Sequence, residues 1–128
     1  MARVLALVPD LMFGSRVQGS LAAAGHEVEL IGDERRLRER LAGNGLPASV
    51  LVVDLADADL QGAAIVELLS REGLIAQTRT LGFYAHVDAS ARERAERAGF
   101  DLVVPRSRMA REGAELVSRL AGGAPASG

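Results

Sequence analysis

The 128-residue sequence contains no cysteine and no lysine. Without cysteine there are no disulfides, no thiolate nucleophile and no thiolate-held zinc or iron–sulfur centre. Without lysine there is no Schiff-base chemistry and no P-loop amine, so every strongly basic side chain is one of 15 arginines. The missing cysteine is neutral about compartment. No GxGxxG, P-loop, HExxH or G-x-S-x-G pattern occurs, and Gly14 and Gly19 do not form the tight glycine turn that opens directly after a first strand. Nicotinamide-cofactor and serine-hydrolase chemistry therefore drop away, and no organic cofactor is expected. The arginines face 17 acidic residues in no long basic block, so nucleic acid is not an expected partner. The apolar opening from Met1 to Val8 is too short to span a membrane and reaches Pro9 and Asp10 without a signal-cleavage pattern. A soluble, cytoplasmic chain with no membrane partner is the expectation.

The length suits one domain, read here as residues 1–121, with a disordered tail over 122–128. Apolar runs rich in valine and leucine at Arg3–Val8 and Ser49–Leu55 read as strands covered on both faces, and Glu27–Ile31, the shorter, aromatic Thr80–Ala85 and Asp101–Val104 read as three more strands. Between them lie helical patterns. The first opens at Gly14 or Ser15 and ends at Gly25, and the second, Glu34–Leu41, is capped by Asp33. The third spans Leu60–Arg71 with Ile65, Leu68 and Leu69 as its buried stripe, the charged fourth spans Ala89–Ala98, and the last spans Met109–Leu120. Strands alternating with helices predict a doubly wound, three-layer α/β/α fold of flavodoxin-like type around a five-stranded parallel sheet, for which we take the order 2-1-3-4-5.

In such a sheet the site lies beyond the carboxyl ends of the strands, where the strand order reverses. Asp10 follows the first strand, Asp54 closes the third with Asp57 and Asp59 beyond it, Tyr84, His86 and Asp88 follow the fourth, and Arg106, Ser107 and Arg108 follow the fifth. Asp54 sits among Leu51, Val52, Val53 and Leu55, where a carboxylate is costly unless paired or put to use. It is a candidate nucleophile or Mg²⁺ ligand, or else a helix cap or an ion-pair partner of Arg106. Asp10 is a candidate second Mg²⁺ ligand or the cap of the first helix. Arg106 carries a planar fork suited to carboxylate or phosphate. Ser107 either joins it in binding an anion or caps the last helix. His86 is the only group in this set that titrates near neutrality. His26, at the other end of the sheet, reads as structural or exposed.

From Arg3 to about Leu120 the chain resembles the response-regulator receiver domain. The intervals from Asp10 to Asp54, Asp54 to Tyr84 and Asp54 to Arg106 agree with that family's usual spacing. The resemblance makes Asp54 the phosphoacceptor, Asp10 one of the acid pair, Tyr84 the hydroxyl residue of the fourth strand and Arg106 the counterpart of the lysine, with Mg²⁺ as cofactor. It implies a histidine kinase upstream and a protein partner or second copy on the face of the fourth helix, fifth strand and fifth helix, around Arg92–Arg97 and Met109–Leu120. Four departures mark a divergent member, or pseudoreceiver. Pro9 replaces the first acid and leaves a weak Mg²⁺ site; Tyr84 is too large for the short inward movement of a small hydroxyl residue; Arg106 alters reach and geometry; and Pro105 precedes Arg106 instead of following it.

The expected role is thus a stand-alone signalling or regulatory interaction domain, phosphorylated on Asp54 or converted to constitutive binding, and not an enzyme. Two other functions stay open. One is a binding module for a phosphorylated or carboxylated small ligand held by His86, Asp88, Arg106, Ser107 and Arg108. The other is an enzyme using Asp54 and His86.

Overall fold

The structure is a computed structural model that describes residues 2–43, 45, 47–85 and 89–122. Five strands and five helices alternate along it: β1 Arg3–Leu7, α1 Leu11–Ala23, β2 Glu27–Ile31, α2 Glu34–Leu41, β3 Val50–Asp54, α3 Gly62–Arg71, β4 Arg79–Tyr84, α4 Ala89–Ala98, β5 Leu102–Pro105 and α5 Arg106–Ala121. All strand pairs are parallel, in the order β2-β1-β3-β4-β5. The expected doubly wound α/β/α architecture and its strand order are both observed.

The central strands are uniformly apolar because helices cover them on both sides; every residue of β3 is buried. Alternate side chains feed two cores. On one face Val4, Val52, Phe83 and Val104 pack with Phe13, Val17 and Leu21 of α1 and with Met109, Leu116 and Leu120 of α5. On the other, Leu5, Leu7, Leu51 and Val53 pack with Leu37 of α2, Ile65 and Leu69 of α3 and Ala95 of α4. The edge strand β2 is only half covered, as its alternating glutamates foretell.

Local chemistry moves several element boundaries. Asp10 caps α1 by accepting a hydrogen bond from the Phe13 N–H at 3.1 Å, so the helix begins at Leu11, ahead of Gly14. Asp33 caps α2 as expected, through the Arg36 N–H. In α3 the stripe is Ile65, Val66 and Leu69, while Leu68 points outward and is exposed. β5 begins one residue after Asp101, whose carboxylate accepts from both the N–H and the hydroxyl of Thr80. α5 begins at Arg106, three residues before Met109. Its N-cap is Pro105, without a side-chain cap bond, so Ser107 is not the cap.

His26 is buried. Its Nδ1 accepts from the Ala2 N–H at 3.1 Å, which leaves the Nε2–H to donate to the Ser118 hydroxyl at 2.9 Å. It joins the start of β1 to α5, at the opposite end of the sheet from Asp54. Gly122 caps α5, and 123–128 of the expected tail lie outside the described residues. Among the described residues no helix is long and apolar enough to cross a membrane.

Candidate functional site

β1, β3, β4 and β5 deliver Asp10, Asp54, Tyr84 and Arg106 to one end of the sheet. Asp54 is the last residue of β3, Tyr84 the last of β4, and Asp10 and Arg106 stand at the starts of α1 and α5. The predicted His86 and Asp88 lie outside the described residues.

Asp54 is almost fully buried, 3% exposed. Its Oδ1 accepts two backbone N–H groups, from Ala56 at 2.8 Å and Asp57 at 3.2 Å. Asp57 repeats the device one turn later, accepting from the N–H groups of Asp59 and Leu60. The two aspartates thereby shape the chain between β3 and α3 as consecutive side-chain-closed turns. The connection then passes through Gln61 in the left-handed region, φ 57°, and enters α3 at Gly62. A Cβ on Gly62 would stand 2.6 Å from Val53 Cγ1, so only glycine lets α3 start this close to β3.

Burial pushes the Asp54 carboxyl above the ordinary aspartate range, opposed by the Ala56 and Asp57 N–H groups and reinforced by the Asp57 charge, with Arg106 a weaker opposing influence. A carboxyl whose folded pKa is raised takes up its proton more readily when folded, so its unfavourable contribution grows as pH rises through that pKa. Asp54→Asn keeps an oxygen for the two N–H groups and removes the buried charge. This variant should melt higher than the parent protein at pH 7, and the gap should close as the pH falls below about 4. Paired melting curves from pH 3 to 8 check this; a gap independent of pH would remove the carboxyl's charge as its cause.

Arg106 does not pair with Asp54. Its Nη2 lies 3.3 Å from Asp10 Oδ2, and its guanidinium lies over the Phe13 ring, 4.1 Å from the centroid. The physical reason is the layer arrangement. α1 and α5 pack on the same face of the sheet, so their first turns are neighbours, whereas Asp54 sits down inside the end of β3. Phe13 rests in turn on Phe83, with ring centroids 5.0 Å apart. Asp10 is therefore engaged twice, by the Phe13 N–H and by Arg106; its carboxyl is held below the usual range chiefly by the Phe13 N–H, opposed by burial and aided to a lesser degree by Arg106 and the Met12 N–H. Among the described residues no three His, Asp or Glu side chains gather where a metal ion could be held.

Tyr84 is buried, with Pro105 as its neighbour in register on β5. Arg108 reaches Glu112 at 3.6 Å, and Ser107 is exposed with its carbonyl accepting from Arg111 Nε at 3.4 Å. The site also includes Phe13, for which the only signal in the sequence is the capping by Asp10 that puts it on the first turn of α1.

No protein-family model matches the sequence, and no curated protein matches it. Solved structures do match the fold. A Francisella response-regulator receiver domain is 16% identical with a TM-score of 0.82, the match covering 95% of this chain and 98% of that one. The Vibrio cholerae chemotaxis response regulator CheY4 is 19% identical, TM-score 0.78, over 94% and 98% of the two chains. The phosphorylated cyanobacterial phytochrome response regulator RcpA is 11% identical, TM-score 0.79, over 96% of each. The chain has the receiver fold.

Proposed function

We propose that this receiver-fold chain is a cytoplasmic signalling or regulatory interaction domain that acts without phosphoryl transfer, its acidic site held in one fixed arrangement by Arg106. The observation that carries this reading is the double engagement of Arg106, on Asp10 at 3.3 Å and on the Phe13 ring at 4.1 Å. In the family that the fold resembles, the acid beside the phosphoacceptor serves a metal ion. Here it serves an arginine. The donor set does not fit a firm Mg²⁺ site: Pro9 supplies no carboxylate, Asp10 is neutralised, and Asp54 shares one oxygen between two N–H groups. Any Mg²⁺ bound at Asp10 and Asp54 is held weakly.

The buried phenol of Tyr84 supports the same reading, since a large ring packed beside Pro105 has no short inward movement with which to report a phosphoryl group. With that switch absent, the face of α4, β5 and α5 is constitutively presented to a protein partner or a second copy, and a histidine kinase has no acceptor to address. A small anionic ligand at Arg106, Ser107 and Arg108 is less favoured, because both arginines already face acids.

Treatment with acetyl phosphate and Mg²⁺ tests the proposal. Transfer would join an Asp54 carboxylate oxygen to phosphorus and release acetate. The expected result is an unchanged intact mass under conditions that fully label an ordinary receiver. An adduct that needs Mg²⁺ and disappears in Asp54→Asn would overturn the reading and establish a working phosphoacceptor.

A further inference from the structure

α3 and α4 lie side by side on the face of the sheet that carries Leu5, Leu51 and Val53. Toward their first turns both helices offer alanine, Ala63 and Ala64 on α3 and Ala91 on α4, and these short side chains do not close the space between them. A cleft of about 260 Å³ remains, with Leu55 completing its apolar wall. Interiors elsewhere in a folded chain are packed to near-crystalline density, so an open apolar cleft of this size has room for an occupant.

Two opposite charges line the same cleft without meeting. Asp57 is half-buried; its Oδ1 accepts from the Asp59 and Leu60 N–H groups, and its Oδ2 accepts from no described residue. The Arg94 guanidinium makes no ion pair with any described residue, and Glu96 on the same helix is taken by Arg92 at 3.6 Å. A purely anionic occupant would meet Asp57 and a purely cationic one would meet Arg94, and like charges so placed cost affinity. A zwitterion with an apolar body satisfies both charges and the wall. The volume falls just below the range of about 300–1,000 Å³ typical of drug-sized ligands, which sets the occupant at the size of a free amino acid.

We propose that the α3–α4 cleft binds a free α-amino acid with an apolar side chain, its ammonium on Asp57 Oδ2, its carboxylate on the Arg94 guanidinium and its side chain against Leu55 and the three alanines. Asp10, Asp54 and Arg106 take no part. The site therefore stands whether or not Asp54 accepts a phosphoryl group, and whether or not the face of α4, β5 and α5 carries a partner.

The probe is L-leucine, titrated into the full chain and followed by amide chemical shifts. Three comparison compounds each lack one element of the proposed recognition: 4-methylpentanoate has no ammonium, 3-methylbutylamine has no carboxylate, and glycine keeps both charges without the apolar body. Leucine should saturate, with shift changes concentrated at Ala63, Ala64 and Ala91, and each comparison compound should bind at least about tenfold more weakly. Arg94→Gln should weaken leucine binding by about tenfold at unchanged melting temperature, and Asp57→Asn, which keeps an oxygen for the Asp59 and Leu60 N–H groups, should weaken it by a similar factor. Absence of saturation, a comparison compound that binds as tightly as leucine, shifts centred elsewhere, or unaltered leucine affinity in either variant would overturn the proposal.

Discussion

Phe83→Ala is expected to lower the free energy of unfolding by about 3–5 kcal/mol, the range for deleting a buried phenylalanine whose surroundings cannot collapse into the space. Phe83 is wholly buried in the core shared by β4, α1 and α5, and strands on either side hold its backbone in register. The cavity would open directly beneath Phe13, which loses its 5.0 Å ring partner. For a domain of this size the melting temperature should fall by on the order of 10–20 °C. Denaturant titration checks this, with an unchanged m-value showing that stability and not compactness has altered. Leu68→Ala is the control. It removes a side chain of similar character from the exposed side of α3 and should change stability by no more than about 0.5 kcal/mol. Equal losses in the two variants would contradict the division between core and surface described above.

The same contacts explain which parts of the fold could be read in advance. Strands such as Val50–Asp54 announce themselves because both faces are buried, and a run of valine and leucine has few other uses in a short segment between turn residues. The two-sided core follows from that, and so does the parallel sheet, since each strand is separated from the next by a helical pattern. Boundaries were less legible because they depend on single hydrogen bonds. Asp10 and Asp33 look alike in the sequence, yet the pattern starts the second helix directly after Asp33, as observed, and the first only at Gly14 or Ser15, although it begins at Leu11. The glycine there suggests a turn. In the structure a Cβ at Gly14 would make only ordinary contacts, so the glycine marks no break. Leu68 fell in the expected stripe of α3 because the sequence allows two neighbouring stripes, and only packing against β3 and α4 selects Val66 over Leu68.

At the site, the sequence identified which residues share one end of the sheet but not who pairs with whom. Asp54 and Arg106 are natural partners by charge. Arg106 goes to Asp10 because α1 and α5 share a layer, and because Phe13 offers the guanidinium a flat apolar face that a carboxylate inside β3 does not. Spacing along a chain carries no information about which first turns touch across a layer, so this pairing had to come from the packing.

That pairing leads to the largest functional effect expected, a gain of chemistry in the double variant Pro9→Asp, Arg106→Lys. Pro9 is half-buried and immediately precedes Asp10, so an aspartate there adds a second carboxylate to the same end of β1. Lysine keeps the positive charge but lacks the planar fork, and it cannot bridge Asp10 while lying flat on Phe13 as the guanidinium does. Asp10 is then released for a hard cation that prefers oxygen ligands. Mg²⁺ affinity should rise by at least about tenfold, equivalent to about 1.4 kcal/mol, and incubation with acetyl phosphate should yield a phosphoryl adduct that Asp54→Asn abolishes. Pro9→Asp alone should yield far less, because Arg106 still occupies the neighbouring carboxylate. If the double variant folds, binds Mg²⁺ more tightly and still takes no phosphoryl group, the block lies at Asp54 itself, in the two backbone N–H groups that occupy its Oδ1 and the burial that favours its protonated form. If the single variant is labelled as fully as the double, Arg106 is not what holds the site silent.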